Sequence, residues 1–360
     1  MSPTIASSFT TSAVTTSEPS SSAASWWSLL DPAPEALFFA GKDRDDPRLG
    51  EVVVRCVGGP VPLRKGQPVL LGFPVDEGVR RNQGRPGAAS AADAIREQLY
   101  RLTTWDPEGP RSGARATGGT DLASAGIIDL GNIRADADLE TCQERLGEVI
   151  GGVLQAGAVP VVLGGGHETA YGHYLGYLRA GLEPSVINID AHLDVRPYPQ
   201  GSHSGSSFRQ MIEHPRCPLK PGRYVVLGAQ RQCVARSHWE FVHQRRGRIH
   251  WFNEDLDGDH VIGILADELS RLGCECDSIL LSVDADAFRQ ADVPGVSAPS
   301  PIGLEGSAWP GLAFQAGCDP KVRSLELVEV NPAFDRDKQT VRWAALGIRQ
   351  FLVGLTGRPR

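Results

Sequence analysis

The chain has 360 residues, 41% hydrophobic and 22% charged, the make-up of an ordinary globular protein with room for one large α/β domain or two small ones. A net charge of −7 argues against a general nucleic-acid or anionic-membrane partner, although a local arginine cluster can still receive a small anion. Seven cysteines, odd in number and scattered, give neither a zinc knuckle nor a disulfide framework and read as free thiols of a reducing cytoplasm; no apolar stretch approaches the roughly 20 residues that span a bilayer.

Residues 1–25 are mostly Ser, Thr and Ala, with no Lys or Arg before Lys42. They are expected to form a disordered tail and lack the basic start or the arginines of a targeting signal. Folded sequence is expected from 26 to 360 as a single domain. Pro68-Val69-Leu70-Leu71-Gly72-Phe73 reads as a buried strand, with Pro68 at its first position where a missing N–H is tolerated. A loop rich in Gly and Arg follows over 76–88, then a helix over 91–102. Leu139, Cys142, Leu146, Val149, Ile150, Val153 and Leu154 make one apolar helical face, with Asp136 and Asp138 at its start and Gly157 to end it. Next come a strand over 159–163, a helix over 169–180, and strands over 186–189 and 224–227. Ile262, Leu265, Leu269 and Leu272 mark a helix before a strand over 279–283. Leu325, Leu327 and Val330 belong to a late strand, and 340–355 is the closing helix. This alternation predicts an α/β domain with a parallel sheet covered on both faces.

Three of these strands finish on metal-binding side chains: Gly164-Gly165-Gly166-His167, Asp190-Ala191-His192-Leu193-Asp194 and Asp284-Ala285-Asp286. Open α/β sheets bind ligands at the carboxyl ends of their strands. In extended backbone, residues two apart face one side, so Asp190, His192 and Asp194 would converge if the chain stays extended; Asp284 and Asp286 repeat the spacing. Taken singly, an Asp-x-Asp is usually a solvated loop or helix cap and a glycine run a turn. Together, at three strand ends, they specify a site. Four clustered carboxylates carry about −4 if ionised, which should raise their pKa values unless divalent cations neutralise them. The mixture of carboxylate and imidazole suits Mn²⁺ without excluding Zn²⁺, Fe²⁺, Co²⁺ or Ni²⁺, and the absence of Cys disfavours a structural zinc. A cation pair can activate water.

At these residues the chain resembles the arginase/agmatinase (ureohydrolase) superfamily, whose three motifs appear in order, and the similarity runs from about residue 67 through Glu329-Val330-Asn331-Pro332 to the end. The resemblance implies a three-layer α/β/α fold around a mostly parallel, roughly eight-stranded sheet. It also implies two Mn²⁺ ions, one held by His167, Asp190, Asp194 and Asp284 and the other by Asp190, His192, Asp284 and Asp286. Within the superfamily, loop 76–88, Asp194-Val195-Arg196 and Pro294-Gly295-Val296-Ser297-Ala298-Pro299 are most similar to the formimidoylglutamase branch. The implied reaction is hydrolysis of N-formimidoyl-L-glutamate to L-glutamate and formamide, a step of histidine degradation. By the same analogy Asp194 orients the attacking water and relays its proton. The substrate's two carboxylates need cationic partners, for which Arg80, Arg81, Arg85, Arg196 and Arg209 are candidates; Asn82 and Glu329 complete the substrate-binding set. Arginases and agmatinases place a His before a Gly in the loop after Asp-Ala-His-x-Asp. Here Ser204 stands at that position and His203 one residue earlier, which makes His203 a candidate proton shuttle, with a solvated loop His as the rival, and favours the formimidoylglutamase branch. The alternative is a ureohydrolase releasing urea from agmatine or a guanidino acid, and a third reading is a non-catalytic relative. A homo-oligomer is expected by analogy with the family.

Overall fold

Alternate apolar residues along the strands fill two cores, one on each face of a single sheet. The computed structural model describes residues 26–109, 118–253 and 258–358. The Ser- and Thr-rich stretch expected to be disordered lies outside the described residues.

Eight main strands run in chain order as β1 (Pro68–Gly72), β2 (Ile128–Ile133), β3 (Val159–Leu163), β4 (Ser185–Ile189), β5 (Tyr224–Ala229), β6 (Arg248–Trp251), β7 (Ile279–Asp284) and β8 (Val322–Val328). Their order across the sheet is β2-β1-β3-β8-β7-β4-β5-β6, and every neighbouring pair is parallel. Two two-residue strands flank β2: Val54–Arg55, which is parallel to it, and Leu30–Asp31, which is antiparallel. The final strand of the chain, β8, is therefore inserted at the centre, between β3 and β7. This is the mostly parallel α/β sheet that the sequence predicts.

The longer helices are α1 (Ala91–Leu99), α2 (Leu139–Gln155), α3 (Thr169–Arg179), α4 (Ser207–Ile212), α5 (Arg236–Gln244), α6 (Gly258–Glu275), α7 (Ala308–Cys318) and α8 (Gln339–Thr356). Helices α1, α6, α7 and α8 pack on the face carrying Leu70, Val161, Ile187 and Leu281. Helices α2 to α5 cover the opposite face, carrying Val69, Val162, Val186 and Leu280. The expected ends of α2 are present: the Asp138 carboxylate accepts the Thr141 N–H at 2.7 Å, and Gly157 turns the chain with φ 74°.

Two expected boundaries change, and some elements were not expected at all. Helix α1 stops at Leu99, short of residue 102. Strand β8 ends at Val328, because Glu329 adopts φ 63° and turns the chain; Val330 instead bridges Val296. Strand β2 was not foreseen, since its Ile-Asp-Leu-Gly-Asn-Ile run breaks apolar continuity. Its buried Asp129 is matched by Arg96 of α1, whose Nε and NH2 donate to the two carboxylate oxygens at 2.8 and 2.9 Å.

Candidate metal centre

The carboxyl ends of β3, β8, β7 and β4 lie side by side, and the polar clusters emerge there. After β3 the chain threads a passage that admits no side chain: a Cβ on Gly165 would collide with the Val75 carbonyl. Gly166 N donates to Val75 O at 3.0 Å and Glu329 N to Gly165 O at 2.8 Å. The glycine run thus ties three segments together and delivers His167 into the centre. After β4 the backbone does not stay extended. His192 N donates to the Asp190 carboxylate at 2.7 Å, and Asp194 takes φ 44°, so the segment curls around the site. After β7, Asp286 N likewise donates to the Asp284 carboxylate at 2.8 Å within a 3-10 turn over Ala285–Ala287. The extended alternation expected for both clusters is replaced by Asx turns, which still aim all six side chains inward.

His167 Nδ1 faces three carboxylate oxygens: Asp194 Oδ2 and Asp284 Oδ2, each at 3.0 Å, and Asp190 Oδ2 at 3.4 Å. His192 Nδ1 lies 3.3 Å from Asp190 Oδ1 and 3.3 Å from Asp286 Oδ2. Ligand atoms fall into two groups, each within 4.8 Å: His167, Asp190, Asp194 and Asp284, and then Asp190, His192 and Asp286. Asp190 belongs to both. Asp284 falls in the first group, whereas the resemblance implied it for both; one of its oxygens is occupied by the Asp286 N–H.

The donor set fits a pair of divalent cations. His167 Nε2 is hydrogen-bonded to Ser282 Oγ at 2.9 Å, which leaves Nδ1 turned toward the carboxylates. That Nδ1, like Asp286 Oδ1, is buried and has no hydrogen-bond partner among the described residues. A ring nitrogen ringed by carboxylate oxygens is arranged for a shared cation, and the mixed nitrogen and oxygen donors suit Mn²⁺. The electrostatics point the same way. Burial opposes a charged His167, yet Asp194 and Asp284 hold its imidazole well above the ordinary range. Burial, then Asp286 and Asp190, push the Asp284 carboxyl well above the carboxylate range, and burial raises Asp286 too. Asp190 departs from the expected rise: burial would lift it, but hydrogen bonding and charge from His192, with His167, hold it low.

Sequence reasoning placed Ser282 in the family's Ser-x-Asp-x-Asp motif but gave no role to the residues that brace this centre. Asn188 Nδ2 donates to Asp190 Oδ2 at 2.9 Å, and Ser282 holds His167. The signal was available: each is a polar residue in an apolar strand, two positions before an Asp ligand candidate and so on the same face. Glu168 was also passed over. Its Oε1 accepts the Gly78 N–H at 2.7 Å, and burial, with the charge of Glu329, lifts its carboxyl to about 8.

The candidate substrate residues separate. Arg81 pairs with Glu140 at 2.6 Å and Glu77 at 3.2 Å, and Arg80 with Glu77 at 2.8 Å. Arg85 donates to the Val296 and Ser297 carbonyls and lies 4.2 Å from the centroid of the Phe334 ring; Arg209 pairs with Glu213 and stacks on Phe241. Arg196 is exposed, and its guanidinium has no hydrogen bond or ion pair among the described residues. It presses against Gly205 together with Asn82, whose Nδ2 donates to Ser204 Oγ at 3.1 Å. Glu329 Oε1 accepts the His167 N–H at 2.7 Å, its Oε2 is buried without a partner, and burial lifts its carboxyl to about 7. His203 Nε2 bonds the Pro197 carbonyl at 3.2 Å; among the described residues it forms no hydrogen bond or ion pair with any of the six.

Residues 67–354 match the arginase family model. The chain is 40% identical over 294 residues to a formimidoylglutamase of Geobacillus thermodenitrificans, covering 80% of this chain and 84% of that one. Its fold superposes on the crystal structure of Trypanosoma cruzi formiminoglutamase with Mn²⁺, with a TM-score of 0.73 and 30% identity over 88% of this chain and 100% of that one. The formimidoylglutamase of Bacillus subtilis shares the fold at TM-score 0.77 and 24% identity, over 89% and 96% of the two chains.

Proposed function

Because the chain belongs to the arginase family, we propose that its six clustered side chains hold two Mn²⁺ ions and that the centre hydrolyses N-formimidoyl-L-glutamate to L-glutamate and formamide. The observation that carries the reading is His167 Nδ1 facing three carboxylates at 3.0 to 3.4 Å. The cation pair, when bound, supplies Lewis acidity that brings the pKa of water toward about 7. His167, Asp190, Asp194 and Asp284 would hold one ion, and Asp190, His192 and Asp286 the other.

The chain's own groups do the rest. Asp194, at the partly open edge with an 11% exposed side chain, orients the attacking water, takes its proton and returns it to the departing glutamate nitrogen. The unpartnered Glu329 Oε2 is set against the positive amidinium. Arg196, whose guanidinium has no hydrogen bond or ion pair among the described residues, receives a substrate carboxylate with Asn82 beside it. Arg80, Arg81 and Arg85 shape the loop that walls the substrate, because their guanidiniums are already engaged. His203, held to Pro197, is kept as a rim residue, and the proton relay is assigned to Asp194.

Purified protein loaded with Mn²⁺ and offered formimidoyl and guanidino compounds should release formamide and glutamate from formimidoylglutamate. Urea release from agmatine or a guanidino acid, with formimidoylglutamate untouched, would overturn the substrate assignment. No helix among the described residues is long and apolar enough to cross a membrane. A cytoplasmic location is supported by seven cysteines that are all free thiols. A homo-oligomer, expected by family analogy, is checked by light scattering.

A further inference from the structure

At the opposite end of the sheet, where β1, β3 and β8 begin, lies a cavity of about 500 Å³. Pro68 and Leu355 contribute apolar wall, and four cations line it: Arg64, Lys65, Arg323 and Arg358. No Asp or Glu is among its lining residues. Arg358 is half-buried and donates to the carbonyls of Gly317 at 2.6 Å and Ala316 at 3.2 Å, at the end of α7. Burial, and more weakly the like charge of Arg323, brings Arg358 down to about 10 against the opposing charge of Asp319. Among the described residues, none of the four forms an ion pair.

That arrangement is unusual for this chain. Its net charge is −7, and the two arginines buried among the described residues have carboxylates: Arg96 has Asp129 and Arg349 has Asp106. Four like charges around one recess repel one another, a cost that an anion entering the recess would offset. Guanidinium and ammonium groups are matched to carboxylate and phosphate oxygens, and the volume lies within the range of small-molecule sites. The apolar walls add a preference for an anion with a carbon skeleton.

We propose that this cavity is a second ligand site, taking a small organic anion with carboxylate or phosphate groups. It is separate from the metal centre: the cavity sits at the amino ends of the strands and the centre at their carboxyl ends, about 16 Å away along a five-residue strand. The site stands independently of the reaction assigned to the centre.

The test is isothermal titration of full-length, Mn²⁺-loaded protein carrying Arg196→Ala, which removes the carboxylate receiver proposed at the centre, with glutarate and, separately, with sulfate. Glutarate should bind saturably, and sulfate more weakly. The double variant Arg64→Gln/Arg323→Gln, exposed and half-buried positions away from the centre, should weaken glutarate at least about tenfold, with Lys65→Gln acting in the same direction. Made with Arg196 intact, the cavity variants should keep wild-type Mn²⁺ content and the wild-type rate on formimidoylglutamate, which reports that they fold. Absence of saturable glutarate binding at about 10 mM, or equal affinity in correctly folded variants, would overturn the site. Sulfate binding as tightly as glutarate would overturn its preference for an organic ligand.

Discussion

His167 Nδ1 reaches three carboxylates at once, so the centre is as sensitive to the groups that aim its ligands as to the ligands themselves. Asp284→Ala should lower bound Mn²⁺ from two per chain and cut kcat at least about a hundredfold, read by metal analysis and a formamide assay. Asn188→Ala, which removes the 2.9 Å bond to Asp190, should weaken Mn²⁺ about tenfold while leaving the fold intact, read by metal titration. Arg196→Ala should raise KM for formimidoylglutamate about tenfold or more with a smaller change in kcat, the signature of lost uniform binding. The six ligand candidates were legible in sequence because strand ends concentrate their chemistry within a few residues. The arginines were not, because a guanidinium's partner is set by tertiary contact: Arg81 meets Glu140 59 positions away, and only the folded chain reveals Arg196 as the one of the five without such a partner among the described residues.

Elements were readable where pattern and burial agree, and obscured where polar residues are buried or apolar ones half-exposed. Strands β3, β4 and β7 stand out as apolar runs buried on both faces. Strand β2 carries buried Asp129 and Gly131 and half-buried Asn132, and Arg96, reaching across from α1, satisfies them there together with Tyr100 and Asp93. Strand β6 is an edge strand with no fully buried residue, so it offers little signal. Helix α7 is apolar nearly all round and carries Pro310 in its first turn, which leaves no amphipathic stripe to recognise. Packing of β6 against α6 nonetheless has a measurable anchor. Burial would raise the Glu268 carboxyl, but hydrogen bonds from His250, Arg271 and Arg248 hold it at about 2, below the ordinary value of 4.5. A carboxylate depressed in the folded state stabilises it above the unfolded pKa, and that contribution fades as pH falls from about 4.5 toward 2. Glu268→Gln should therefore lower Tm at pH 7, with the gap to wild type narrowing by pH 3, as followed by circular dichroism.

For the molecule as a whole, we propose that the sequence from residue 26 onward folds as one unit, a reading supported by the continuous sheet that runs from β2 to β6. A single calorimetric transition is then expected. Because Mn²⁺ binds groups that come together only in the folded chain, chelation should lower Tm by about 5 °C or more relative to protein held at about 100 times the Kd, without splitting the transition. Two separated transitions would argue for independent units. The fold class was legible from strand and helix alternation, whereas the strand order was not, since no local pattern announces that β8 enters between β3 and β7. That late entry has a consequence during synthesis. His167 is separated from Asp284 by a gap that only the C-terminal strand fills, and Glu329, just beyond that strand, clasps the His167 backbone. Until β8 emerges and threads into place, the donors on β3 and those on β7 share no wall, so manganese capture waits on the last of the eight strands.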